Sequence, residues 1–153
     1  MADIEAIRRM LTESVPFSRV LGVEVLSVDS GEALALLPES PERLNHVGTV
    51  HAVAQFGLAE TTSGALLVST FDDLTAEGFV PVAADVAIHY RRPARGDLRG
   101  TARLGEEEQL RIRNDVAQTS RARVPMAVVL TDADGNVTTE CEVTWVLLKP
   151  AQM

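Results

Sequence analysis

With one cysteine, the chain has neither an internal disulfide framework nor a multi-cysteine zinc site. No apolar run approaches the ~18 residues of a membrane helix. The opening residues Met1-Ala2-Asp3-Ile4-Glu5 lack the basic-then-apolar layout of a signal peptide. Basic side chains are scarce, 14 against 22 acidic ones, for a net charge of −8 and a pI near 4.8. That deficit argues against a nucleic-acid-binding domain and against an electrostatic hold on anionic membrane. Repeats, linkers and low-complexity tracts are absent. What remains is ordinary globular composition, 46% hydrophobic and 24% charged over 153 residues. A chain of this length suits one domain, 1–153, and can bury ~70% of its unfolded surface without staples. The expectation is a soluble, reduced, cytoplasmic domain with no nucleic-acid and no membrane partner.

Ile4, Ile7, Met10 and Leu11 have helical spacing, which predicts an N-terminal helix within 3–14 that Pro16 ends. Gly22–Val28 alternates as a strand, Ser30-Gly31 reads as a tight turn, and Glu32–Leu37 is a second strand closed by Pro38 and Pro41. Between Leu44 and Phe71 the only titratable groups are His46, His51 and Glu60. This alanine- and leucine-rich stretch predicts a helix from about Val50 to Thr70, with Thr49 as N-cap. It is apolar on nearly all sides and therefore buried. Gly57 and Gly64 then mark the close approach of another backbone.

Asp72-Asp73 ends that helix. Phe79–Arg92 alternates, with Val82, Ala84, Val86, Ile88 and Tyr90 on one face. Leu98–Leu104 is a strand, and Glu106–Gln118 is a short exposed helix with glutamates at the positive end of its dipole. Arg121–Thr131 is a strand in which Pro125 suggests an edge or bulge. Asp132–Asn136 is a hairpin turn, and Val137–Leu148 closes the core, 21–148. A flat sheet cannot bury the central helix, so the sheet must curl around it in an α+β domain.

Charge is unevenly spread. Met1–Tyr90 carries 4 basic and 13 acidic residues, Arg91–Arg123 carries 9 arginines and 5 acids, and Val124–Met153 one lysine and 4 acids. The arginine-rich segment reads either as solvated strand faces or as a site for an anionic group, since guanidinium forks match phosphate oxygens.

The sequence contains no Gly-x-Ser-x-Gly elbow, phosphate loop, dinucleotide glycine fingerprint or His-Glu-x-x-His. Cys141 falls on an apolar strand face and reads as a core residue. His46 and His51 are five apart, the wrong interval for stacked ligands, and no metal is expected. Glu60 is the lone acid in an otherwise buried helix. It is either part of a narrow polar stripe with Thr61, Thr62 and Ser63, or a cleft carboxylate suited to base chemistry. His51 and Glu60, nine residues apart, point to opposite sides of one helix, so His51 acts from the loop or first turn, where capping suits it.

Asn45-His46-Val47-Gly48-Thr49-Val50-His51-Ala52, followed by Phe56-Gly57-Leu58-Ala59-Glu60, resembles the hotdog-fold acyl-CoA thioesterases of the phenylacetyl-CoA thioesterase type, in an uncharacterised side branch. Tyr90-Arg91-Arg92-Pro93-Ala94-Arg95-Gly96-Asp97 is similar to that family's Tyr-x-x-Pro-Ala-x-x-Gly-Asp stretch. The resemblance implies a hotdog fold and hydrolysis of an acyl-CoA or acyl-carrier-protein thioester. It makes Glu60 the general base or nucleophile, gives Asn45 the positioning of water or the carboxylate, counts His51 in the catalytic set, and makes the Ala52 and Val53 amides the oxyanion donors. It places Gly48, Phe56, Ser63, Gly64, Tyr90, Arg91, Arg92 and Arg95 at the substrate, with the arginines on the phosphates of coenzyme A. Coenzyme A enters as part of the substrate and no separate cofactor is implied. The implied assembly is a homodimer or dimer of dimers that shares each site. Ala52-Val53 stands where the family has Gly-Gly, and Gly64 where it often has Ser or Thr, with Ser63 and Thr61 as candidate substitutes. The Ala52-Val53 departure points to an alternative, a hotdog protein that binds acyl-CoA or fatty acyl groups without hydrolysing them.

Overall fold

Asp3 caps the first helix, α1 (Ile4–Ser14), by accepting a hydrogen bond from the Glu5 amide. Pro16 does more than stop it: proline is accepted at the first position of a helix, and here it opens α2 (Pro16–Leu21). The computed structural model describes residues 3–29 and 31–150. Gly22, expected to start a strand, instead ends α2 in the left-handed region (φ 70°). Strand β1 therefore spans Glu24–Asp29, and β2 is Glu32–Leu37. Ser30 of the expected turn lies outside the described residues.

The long helix α3 runs Ala52–Thr70 and is followed directly by the short α4 (Asp72–Ala76). Its N-cap is His51, not Thr49: the His51 Nδ1 accepts the Val53 amide. Thr49 is unavailable as a cap because its backbone and hydroxyl close the preceding loop on Asn45. Strands β3 (Val80–Tyr90), β4 (Leu98–Arg103), β5 (Arg121–Thr131) and β6 (Val137–Leu148) complete the sheet, with helix α5 (Glu106–Thr119) between β4 and β5. α5 is not simply exposed, since Ile112 and Val116 are buried in the core.

The six strands form one antiparallel sheet in the order β1-β2-β4-β5-β6-β3, wrapped around α3. α3 packs against β2, β4 and β5, and its mid-section is buried except at Glu60. This is the α+β hotdog arrangement. Pro125 sits in an interior strand, yet β4 pairs only with Ala127–Thr131 of β5, so at Pro125 the strand is locally an edge. In β3 the register shifts between Ala83 and Asp85, which breaks the simple alternation through Ala84. Val86 and Ile88 pack on the core while Val82 is 49% exposed. No helix among the described residues is long and apolar enough to cross a membrane.

The glycines of α3 do meet close neighbours, but these are side chains. A Cβ on Gly57 would sit 2.8 Å from Leu21 of α2, and one on Gly64 would sit 3.3 Å from the Trp145 ring. The tightest of these helix–sheet contacts is on the strand, again against side chains: a Cβ on Gly100 of β4 would lie 2.6 Å from Thr62 Oγ1 and 3.2 Å from Leu58. Gly100→Ala is accordingly expected to overpack the helix–sheet seam and cost about 1–3 kcal/mol, read as a fall in Tm.

Candidate active site

The loop before α3 is built by Asn45. Its Oδ1 accepts the Val47 and Thr49 amides (3.1 Å each), and its Nδ2 donates to Thr49 Oγ1 (2.8 Å). Gly48 occupies the left-handed region at φ 73°, which suits glycine. Asn45 thus spends its amide on shaping the loop that delivers His51 to the helix start. In a first helical turn the amides have no intrahelical partner. Here the Ala54 and Gln55 amides bond the His51 carbonyl, and the Val53 amide bonds His51 Nδ1 at 3.1 Å. Because Nδ1 accepts, the neutral ring carries its proton on Nε2. Ala52 N–H is the one first-turn donor that no described residue takes.

Ala52 opens onto a cleft of about 420 Å³ lined by Asn45, Gln55, Tyr90, Arg91, Arg92 and Arg95, among others. Tyr90 Oη donates to the Ala52 carbonyl (3.1 Å), which ties the end of β3 to the start of α3. Gln55 locks the same turn from below, donating to the Val50 carbonyl and accepting from Thr139. Gln55 was missed in the sequence because a lone buried amide has no periodic signature. The arginine segment divides. Arg103, Arg111 and Arg113 pair with Glu32, Glu108 with Asp115, and Asp73, away from this cleft. Arg91, Arg92 and Arg95 line it, with Arg91 paired to Glu140 and Arg95 bonded to the Gly48 carbonyl.

Glu60 lies elsewhere. It is half-buried in a separate cavity of about 350 Å³, with Met10, Leu11, Val15, Thr61, Gly64, Pro81, Val82, Ala83 and Trp145 in its walls. Burial pushes its carboxyl above the usual glutamate range. Among the described residues no cation or hydrogen-bond donor offsets that burial. Ser63, expected at substrate, turns inward instead: its Oγ accepts Trp145 Nε1 and donates to the Glu60 carbonyl (3.0 Å each). It braces the cavity wall. Phe56 and Val53 are on an exposed face of α3, Val53 at 60%. Cys141 is buried in the core, its thiol pushed up to about 11.

Glu60 follows Ala52 by eight positions, about 12 Å along a helix axis. One copy therefore holds two separate features: an amide donor in a cleft with arginines, and a half-buried carboxyl in a largely apolar cavity.

The model of a family described as a domain of unknown function, DUF4442, matches residues 4–147. A comparison with curated proteins gives no match. Among solved structures, a Pseudomonas aeruginosa protein of unknown function, called a probable thioesterase, is 28% identical over 97% of each chain, with a TM-score of 0.84. A mutant thioesterase from Pseudomonas aeruginosa is 18% identical, covering 95% of this chain and 94% of its own, with a TM-score of 0.73. The E. coli PaaI protein from the phenylacetic acid degradation operon is 16% identical, covering 97% and 95%, with a TM-score of 0.70. The last two likenesses concern the fold.

Proposed function

The chain belongs to the DUF4442 family, and we propose that it is a cytoplasmic thioester hydrolase whose sites are completed between two copies. The observation that carries this reading is the course of β3. The strand begins beside Glu60, where Pro81, Val82 and Ala83 line the cavity, and ends at Tyr90 on the Ala52 cleft. Its outer edge is unpaired among the described residues, and an open edge is a template for another strand. If two copies pair β3 to β3 antiparallel about a two-fold axis, the Tyr90 end of one lies along the Pro81 end of the other. The Ala52 amide of one copy then faces the Glu60 cavity of its neighbour.

In that site the Glu60 carboxylate takes a proton from water, and the water oxygen bonds to the thioester carbonyl carbon. The carbonyl oxygen gains charge and is held by the Ala52 N–H at a helix N-terminus. Collapse breaks the carbon–sulfur bond, and the proton passes from Glu60 to the departing thiolate. As a nucleophile, Glu60 would instead displace the thiolate to form a mixed anhydride. Water attack on the Glu60 carbonyl of that anhydride would leave label on Glu60 after a single turnover in oxygen-labelled water. The substrate class is an acyl-CoA or acyl-carrier-protein thioester. The His51 bond to the Val53 amide leaves the Ala52 N–H as the oxyanion donor of this scheme.

Release of free thiol from a panel of acyl-CoA and acyl-carrier-protein thioesters tests the reading. Tight calorimetric binding of intact acyl-CoA with no thiol released over hours would replace it with a non-catalytic acyl-binding protein, the role favoured by the Cβ atoms at Ala52 and Val53. Arg91, Arg92 and Arg95 are the residues for the phosphates of coenzyme A. Arg91→Ala or Arg92→Ala is expected to weaken coenzyme A binding about tenfold while leaving a short acyl-pantetheine unaffected. Equal loss for both ligands would remove the phosphate contacts from the scheme.

A further inference from the structure

Thr61 follows Glu60 on α3 and is 3% exposed, yet its hydroxyl is the buried side-chain polar atom that has no hydrogen-bond partner among the described residues. A threonine inside a helix ordinarily turns its hydroxyl back to the carbonyl four residues earlier, as Thr62 does to Leu58 at 2.6 Å. Thr61 does not. An orphaned buried hydroxyl is costly, and native proteins seldom retain one without a use.

Thr61 also stands where two cavities meet. The Glu60 cavity and a second of about 410 Å³ share Leu11, Ser18 and Thr61 in their walls. The second continues under α1 to Val23, Glu24, Val25 and Leu26 of the β1 region. Arg8 bounds its far side, bonded to the Val25 carbonyl (2.8 Å) and paired with Glu5. The combined walls are largely aliphatic. A thioester carbonyl at Glu60 would therefore send its acyl chain past Thr61 and under α1.

We propose that this bipartite cavity binds an acyl chain bearing an oxygen substituent, a hydroxyl or keto group, which hydrogen-bonds Thr61 Oγ1. The threonine hydroxyl both donates and accepts, so either substituent is accommodated. An unsubstituted chain leaves Thr61 unpaired, and that unmet bond is the source of discrimination. The inference rests on the thioester reading of Glu60 and names its acyl group.

The experiment compares octanoyl-CoA with its α-, β- and γ-hydroxy derivatives, by thiol release and by calorimetry with the corresponding non-hydrolysable thioethers. The full-length protein, Thr61→Val and Thr61→Ser are used. One hydroxy derivative is expected to bind about tenfold tighter than octanoyl, the worth of one neutral hydrogen bond. Thr61→Val should abolish that preference, read as the ratio of hydroxy-octanoyl to octanoyl affinity, and Thr61→Ser should retain it. Thr61→Val should also raise Tm, since it removes the orphan, so loss of folding would not mimic the result. Equal affinity for octanoyl and every hydroxy derivative, or a preference that survives Thr61→Val, overturns the proposal. If no thioester is cleaved but a hydroxyacyl thioether is still preferred through Thr61, the hydrolase reading falls and the subsite stands.

Discussion

Glu60→Gln is expected to lower kcat by about 10²–10⁴-fold, the usual worth of a positioned general base, with little change in binding of a thioether analogue. The amide keeps the shape of the carboxyl and cannot take a proton from water. Glu60 sits in an apolar cavity that raises its pKa, so only the fraction ionised at a given pH is competent. The wild-type rate should therefore climb with pH through a value above the ordinary carboxylate range, and the residual Glu60→Gln rate should lack that limb. Stability should move oppositely. A carboxyl whose pKa is raised on folding stabilises the native state at pH values below its unfolded pKa. That contribution is lost as pH rises through the folded pKa. Glu60→Gln should thus equal or exceed the wild type in Tm at neutral pH and lose the advantage in acid. Full hydrolytic activity of Glu60→Gln across the acyl-CoA panel would remove Glu60 from the mechanism.

Ala52→Pro isolates the other half-site. Ala52 is the first residue of α3, and the preceding His51 is extended at ψ 140°, a conformation that precedes proline without strain. Proline at this helical position preserves the fold while deleting one N–H. Tm should change little, and kcat should fall about 10²–10³-fold, as for loss of an oxyanion donor. The two variants together test whether the half-sites join between copies. In a mixture of Glu60→Gln and Ala52→Pro chains, half of the dimers are mixed, and each mixed dimer has one intact site. About a quarter of wild-type activity should return after subunit exchange, through the symmetry of a shared interface. Activity no higher than that of the separate variants would mean that each chain works alone.

The elements were legible because the signals are local. The period of Ile4, Ile7, Met10 and Leu11, the extent of β2 and β6, and the turn at Asp132–Asn136 need only a few neighbouring residues to declare themselves. Boundaries were less legible where one residue serves two elements. Pro16 both closes and opens a helix, Gly22 ends one rather than starting a strand, and Thr49 is held by Asn45 and so cannot cap α3.

The sequence by itself determined the conspicuous chemistry: a lone acid in an uncharged helix, a histidine-bearing loop before it, and a run of arginines. Composition and spacing along one helix suffice for that, and the family resemblance added the fold and the reaction class. Only the tertiary structure decided how these parts are distributed. It sent Ser63 to Trp145, bound the Val53 amide to His51, and left Ala52 N–H open. It also sorted three arginines to the cleft and left the buried hydroxyl of Thr61, a residue in the walls of two cavities, without a partner among the described residues. Such contacts join residues tens of positions apart, up to 82 for Trp145 and Ser63. Their partners are chosen by sheet order and helix rotation, which no local pattern records.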